Sequence, residues 1–264
     1  MFFEDHLEES DHEDARQDEV SQEATRHSLA ERPSAGGSSS SIVELLKEAA
    51  ENERHCPDIL PYPTATVESA VAQLASTQAR VRQLAEEEKR EAADPNRGRS
   101  LLPFKPSDII ALELQRAQFF LCELLRCRLR KVELLAATIY YEGVQEAQGA
   151  DSGVLLPQRG HLSENEKIVA DRLAELNQNL LLRVGLQAAP QELRHLTPNP
   201  PYAEGMEMLP VPDIDQYVFG VALEDLGVVE LGEGASQVIN GGEIFLMPYR
   251  TFRPYVIAGQ VRLL

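Results

Sequence analysis

The chain has 264 residues, 43% of them hydrophobic, with no Trp and only 6% aromatics, so aliphatic side chains must build its core. Its formal net charge is -18 and its pI near 4.8, and a surface of that sign repels phosphates and argues against strong autonomous nucleic-acid binding. No apolar run is long enough to span a bilayer, the acidic start does not read as a signal or transit peptide, and three cysteines in aliphatic surroundings read as reduced intracellular thiols.

Residues 1–40 are expected to form a disordered acidic tail. Eleven acidic and three basic residues place about -8 of the charge there, and a run of Gly and Ser closes it. His6, His12 and His27 sit among those carboxylates and read as solvated side chains rather than a metal site. Ser41-Ile42-Val43-Glu44 is a capping box that opens a first helix running to about His55, with Val43, Leu46 and Ala50 inward. Pro57, Pro61 and Pro63 break the chain. Thr64 to about Ala93 reads as a second helix, with Val67, Val71, Leu74, Val81 and Leu84 at helical spacing. A loop follows, in which Arg97, Arg99 and Lys105 form a small basic cluster read as solvated.

The spacing then predicts one long helix from Ser107 to about Glu142. One arc carries Ile110, Leu114, Leu121, Leu125, Val132, Leu135 and Ile139. On the opposite side Leu112, Phe119, Phe120 and Leu134 alternate with Arg116, Glu123, Arg126 and Arg130. A helix apolar on nearly every side is buried on nearly every side, and one small helical domain has few elements to do this, so other chains are expected to help. Arg126, Arg128, Arg130 and Lys131 need carboxylates, either Glu123 and Glu133 in the same helix or groups on another helix or another chain. Cys122 and Cys127, with no second pair, make a poor zinc pattern and are expected to pack in the interior.

After a flexible connection, a second capping box, Ser163-Glu164-Asn165-Glu166, starts a fourth helix reaching about Ala188. Its predicted core face is Val169, Leu173, Leu176, Leu180 and Val184. Residues 190–211 are a proline-rich linker. Beyond it Gln216 to Leu223, Gly227 to Leu231 and Glu243 to Tyr249 read as short strands, and Val256 to Leu264 as a turn and a last strand. The predicted fold class is therefore α+β: an N-terminal all-helical bundle domain of about four helices (41–189) with a long central helix, followed by a small C-terminal β-rich domain (212–264). A unit of about 50 residues is marginal alone and is expected to dock onto something.

Catalytic motifs are missing. Gly36-Gly37 and Gly241-Gly242 lack the Lys and the strand–loop–helix setting of a phosphate loop, and there is no nucleophile elbow and no His-Glu-x-x-His. His161 and His195 have no evident Cys or Ser partner. No cofactor and no enzyme activity is expected.

The ordered motifs resemble one family. Leu125-Arg126-Cys127-Arg128-Leu129 followed by Lys131-Val132-Glu133 is similar to a stretch on the long helix of GINS complex subunits of the Sld-five type. Glu44-Leu45-Leu46 with Pro57-Asp58-Ile59-Leu60, Leu162-Ser163-Glu164-Asn165-Glu166, Pro212-Asp213-Ile214-Asp215-Gln216-Tyr217-Val218-Phe219 and Ala258-Gly259-Gln260-Val261-Arg262-Leu263-Leu264 resemble further family stretches in the same order. The likeness covers about Ser41 to Leu264, with a longer acidic tail and a shorter segment from Leu226 to Asn240.

The resemblance implies a non-catalytic nuclear subunit of a heterotetramer with three paralogous GINS subunits. That tetramer would join the MCM ring and the RecJ-like Cdc-forty-five protein in the replicative helicase. It makes Phe119, Phe120, Leu124, Leu125 and Leu129 candidate apolar interface residues, and Arg126, Arg128 and Arg130 candidates for pairing with carboxylates inside or across the interface. Tyr217, Phe219, Val261, Leu263 and Leu264 would hold the β domain and its dock. The alternatives are a helical scaffold subunit of another nuclear assembly and a DNA-binding module.

Overall fold

A computed structural model of the chain describes residues 41–93, 104–149, 154, 156–190, 194, 208–232 and 235–264. The acidic tail, His195, Arg97, Arg99 and most of the proline-rich linker lie outside the described residues. The described helices are α1 (Ile42–His55), α2 (Thr64–Ala93), α3 (Pro106–Ala147), α4 (Glu164–Val184) and α5 (Tyr249–Ile257). The strands are β1 (Tyr217–Ala222), β2 (Gly227–Gly232), β3 (Ala235–Ile239), β4 (Ile244–Pro248) and β5 (Val261–Leu263). The fold is α+β, a helical bundle followed by a small antiparallel sheet region, and residues from Ser41 to Leu264 form one compact unit.

Local chemistry sets the helix limits. The Ser41 N–H donates to the Glu44 carboxylate at 3.1 Å. At the start of α4 the Glu166 N–H donates to the Ser163 hydroxyl at 3.3 Å, and the Ser163 N–H donates to the Glu166 carboxylate at 2.9 Å. Pro106 occupies the first turn of α3, where its missing N–H costs nothing. The Glu88 carboxylate at the far end of α2 accepts from the Ser107 N–H at 2.9 Å and from its hydroxyl at 2.6 Å, tying the two helices at their junction. α3 runs five residues past the expected Glu142.

Two cores lie along α3. Leu46 and Ala50 of α1, Val67 and Ala70 of α2, and Ala117, Leu121 and Leu124 of α3 pack together near its first half. Ile59, Leu162 and Ala170 meet Val132, Leu135 and Ile139 near its second half. The expected core face of α4 needs correcting. Val169, Leu176, Leu180 and Val184 are exposed, and α4 packs against α3 through Glu166, Ala170 and Ala174. Those short side chains lie roughly a quarter-turn round the helix from the leucine stripe, and a helix set mainly against one neighbour buries only one stripe. Val71 is likewise exposed on α2. Cys127 is buried as expected, but Cys122 is exposed.

In the C-terminal part β1 is the central strand, flanked antiparallel by β4 and β5, while β2 and β3 pair separately as a hairpin. β3 and α5 were not predicted. In β3 only Ile239 is buried, so there was no alternation to read, and α5 carries Pro254 in its interior, a residue that ordinarily stops a helix. α5 nevertheless buries Tyr249, Phe252 and Val256 on one side, against Val218, Ala222, Val261 and Leu263 of the sheet. Gly220 is required by close approach: a Cβ there would lie 2.6 Å from the Phe245 ring, which stacks on Phe252 with centroids 4.0 Å apart.

Candidate subunit interface

The long helix places one arginine where no solvent reaches. Arg128 is fully buried, and all five of its N–H groups have acceptors. Nε and Nη2 donate to the two Glu166 carboxylate oxygens at 2.8 and 3.0 Å. Nη1 donates to Glu53 at 3.0 Å and to the Leu60 carbonyl at 2.7 Å, and Nη2 also donates to the His161 carbonyl at 3.0 Å. The guanidinium carbon lies 5.1 Å from the centroid of the Tyr62 ring. One turn on, Lys131 donates to Glu53 at 2.9 Å, to the Asp58 carbonyl at 2.7 Å and to the Cys56 sulfur at 3.0 Å. Two cations thus face two carboxylates, and the cluster joins α1, its exit, α3 and the start of α4.

The two carboxylates feel this site differently. Burial pushes Glu53 above the ordinary carboxylate range, more than Lys131 and Arg128 pull it back. Burial also works to raise Glu166, but the hydrogen bonds and charge of Arg128 and the Ser163 N–H outweigh it and hold Glu166 low. Burial pushes the Cys56 thiol up to about 12 against the pull of Lys131. Burial lowers Lys131, yet Cys56 and Glu53 overcome that and leave it raised.

The exit of α1 also holds the sheet. Asp58 accepts from the Tyr249 hydroxyl at 2.6 Å and from Arg253 Nε at 2.7 Å. The Asn52 side-chain carbonyl accepts from the Leu263 N–H at 2.8 Å, closing the free edge of β5. Cys56 belongs to the apolar core of the sheet. The small β unit therefore docks on its own helical bundle, through Asn52, Cys56 and Asp58, to none of which the sequence reading gave this role. The available signal was a break in pattern: Arg128 falls seven residues after Leu121 and seven before Leu135, on the predicted buried arc, so buried carboxylates had to meet it.

The candidate interface residues divide by this geometry. Leu124, Arg128, Val261 and Leu263 are buried within the chain's own cores, and Arg128 finds its carboxylates inside the chain, one of the two places the sequence left open. Phe119, Leu129, Tyr217, Phe219 and Leu264 are exposed, and Phe120 and Leu125 are half-buried. Phe119 and Phe120 meet edge to face at 5.4 Å. Arg126 and Arg130 are exposed and make no ion pair among the described residues. Glu123 is instead bridged by Arg54, whose hydrogen bond, against a smaller opposing effect of burial, holds its carboxyl below the usual range.

The apolar stripe of α4, expected from the sequence to face the core, is left bare. Leu176, Leu180 and Val184 are 66%, 60% and 78% exposed, and with Val169 and Leu173 they form a seam at spacings of four, three, four and four. That is close to the repeat by which one helix receives another. Leu112 and Leu134 of α3 are also bare. A shallow cleft of about 260 Å³ opens between the starts of α1, α2 and the first half of α3, with Glu113 as its only ionisable lining group. Among the described residues no group of three or more His, Cys, Asp or Glu converges to hold a metal, and no helix is long and apolar enough to cross a membrane. His161 is held by its Nδ1 against the Ile59 carbonyl at 2.7 Å.

Two family models and a set of curated relatives resemble the chain. Residues 73–185 match the family model described as the GINS complex protein helical bundle domain, and residues 212–264 match that of the DNA replication complex GINS protein SLD5 C-terminus. The chain is 27% identical over 246 residues to the DNA replication complex GINS protein SLD5 of Arabidopsis thaliana, covering 89% of this chain and 100% of that protein. It is 26% identical over 229 residues to the Homo sapiens protein of the same name, covering 84% of this chain and 89% of that one. To the Xenopus laevis protein it is 24% identical over 233 residues, covering 84% and 90%.

Proposed function

The chain belongs to the SLD5 family of GINS complex subunits, a component of DNA replication, and from that premise we propose that it is a non-catalytic structural member of a heterotetramer with three paralogous GINS subunits. The observation that carries this reading is the leucine stripe of α4, which the chain's own bundle leaves bare although its spacing suits helix-on-helix packing. Contiguous apolar surface of this kind marks an association site rather than a solvated face. The internal salt-bridge cluster supports the same reading from the other side, because it fixes α1, α3 and α4 as one rigid platform without consuming that stripe. The tetramer would act in the nucleus, joining the MCM ring and the RecJ-like Cdc-forty-five protein in the replicative helicase. It would need no cofactor of its own.

The test is the mass in solution of the full chain, alone and co-expressed with its three paralogues from the same source. A stable one-to-one-to-one-to-one complex is expected. A well-behaved monomer that ignores all three would overturn the proposal and return the choice to another scaffold or, if DNA affinity falls steeply with salt, to a DNA-binding module.

A further inference from the structure

We propose that the exit of α1, from Glu53 to Leu60, is a latch through which the buried cations of the bundle control the docking of the β unit, with Lys131 as its positioning residue. The segment has two sides. Its backbone is collected by the bundle. Lys131 Nζ donates to the Glu53 and Asp58 carbonyls, the latter at 2.7 Å, and Arg128 Nη1 donates to the Leu60 carbonyl at 2.7 Å. The Ile59 N–H donates to the Gln158 side-chain carbonyl at 2.9 Å, and the Tyr62 N–H to the His161 carbonyl at 3.0 Å. The Ile59 side chain packs with Val132, Leu135 and Ile139 of α3.

The other side serves the β unit. Cys56 belongs to the core of the sheet, Leu60 packs against that core, and the Asp58 carboxylate accepts from Tyr249 and Arg253. Asp58 and Ile59 thus serve opposite sides, as successive residues of an extended chain do. Pro57 and Pro61 fix φ at either end of this stretch and offer no N–H, so it is held by side chains of the bundle rather than by a helix or a ladder.

The result is a coupling at a distance. Among the described residues the acceptors of Lys131 lie in Glu53, Cys56 and Asp58, all in α1 or its exit and none in the β unit. Yet Cys56 and Asp58 are residues on which the sheet is seated. Asp58 is fully buried, so its carboxylate favours docking only while its backbone holds it within reach of Tyr249 and Arg253. Release of the Asp58 carbonyl by Lys131 lets the carboxylate drift and the sheet lift. The first core, around Leu46 and Leu121, stays packed, which makes this a local opening rather than unfolding. Coupling of this kind is reciprocal: whatever steadies the docked sheet also tightens the cation cluster.

The experiment follows labelling of Cys56 by a disulfide reagent in the full chain in dilute buffer, located by mass spectrometry, as urea is raised. Wild-type Cys56 should be spared. Lys131→Met should label about tenfold faster or more, the equivalent of one lost charged hydrogen bond, with a urea dependence well below that of global unfolding. Lys131 pulls the thiol pKa down, so loss of the cation by itself would slow labelling, and only opening speeds it. Tyr249→Phe, which cuts the other side of the latch, should also speed labelling, and the two changes together should fall short of the product of the single effects. Leu46→Ala, a cavity in the first core, should speed labelling only with the full urea dependence of global unfolding. Lys131→Met labelling no faster than wild type, or only through global unfolding as in Leu46→Ala, overturns the latch, and so do single effects that multiply in full. Lys131→Gln, which keeps a donor, carries the same test if Lys131→Met does not fold. A chain unfolded by both substitutions also overturns the inference, because Lys131 would then hold the whole bundle rather than the dock.

Discussion

Arg128 shows how one residue decides what its neighbours do. Its attraction to two buried carboxylates offsets a large desolvation cost only while all partners are present. Arg128→Ala should therefore cost about 3–5 kcal/mol, read as a large drop in the thermal midpoint of the co-expressed complex. The carboxylates are not equivalent. The site favours the charged form of Glu166 and disfavours that of Glu53, so Glu166→Gln should lower the midpoint more than Glu53→Gln. The reverse order would mean that Lys131, rather than Arg128, anchors the cluster. The adjacent thiol gives a second test. With Cys56 raised to about 12, its thiolate at pH 8 is roughly a thousandfold scarcer than that of an ordinary cysteine, and it is buried besides. A disulfide reagent at pH 8 should modify Cys122 promptly and spare Cys56 until the chain unfolds. The folded thiol keeps its proton after the unfolded one has lost it. This stability is thus complete below about pH 9 and is lost as pH rises toward 12. Cys56→Ala should make the alkaline decline shallower.

Among the elements, legibility followed how much of the decision was local. The capping boxes at Ser41 and Ser163 gave the starts of α1 and α4, and apolar spacing gave α2 its observed limits, because hydrogen bonds within a few residues settle those points. Periodicity also identified the stripe on α4 but assigned it to the wrong side. It reports which face is apolar, not whether the neighbour covering that face belongs to the same chain. The seam that does meet α3, Glu166, Ala170 and Ala174, is short and partly polar, so it carried almost no hydrophobic signal. The docking roles of Asn52 and Asp58 were not legible either: their partners, Leu263 and Tyr249, lie about two hundred residues away in sequence. The division on α4 is testable. Leu176→Asp with Leu180→Asp, both at exposed positions, should change the stability of the chain by no more than about 0.5 kcal/mol each. The same pair should abolish recovery of the tetramer on co-expression. A stable chain that still assembles would remove α4 from the interface.

At the scale of the molecule, two bare apolar faces sit on one compact unit whose charge is strongly of one sign. The leucine stripe of α4 and the sheet side that carries Phe219, Ile244 and Leu246 each favour association, and like-charge repulsion opposes it between copies of the same chain. The outcome for the isolated protein depends on which interaction is screened. Salt leaves apolar attraction intact or strengthens it, whereas the Debye length falls from about 10 Å at 0.1 M to about 3 Å at 1 M. The isolated chain should therefore remain dispersed in dilute buffer and self-associate as sodium chloride is raised toward 1 M. The co-expressed complex, with the α4 stripe covered by another subunit, should respond less. Light scattering of the two samples across one salt series makes the comparison. Leu176→Asp with Leu180→Asp removes one apolar face and adds two negative charges, so it should move the onset for the isolated chain to higher salt. A wild-type chain that stays monomeric throughout would mean that its apolar faces are too small or too far apart to drive association. The specificity of assembly would then have to come from paired charges such as those of Arg126 and Arg130.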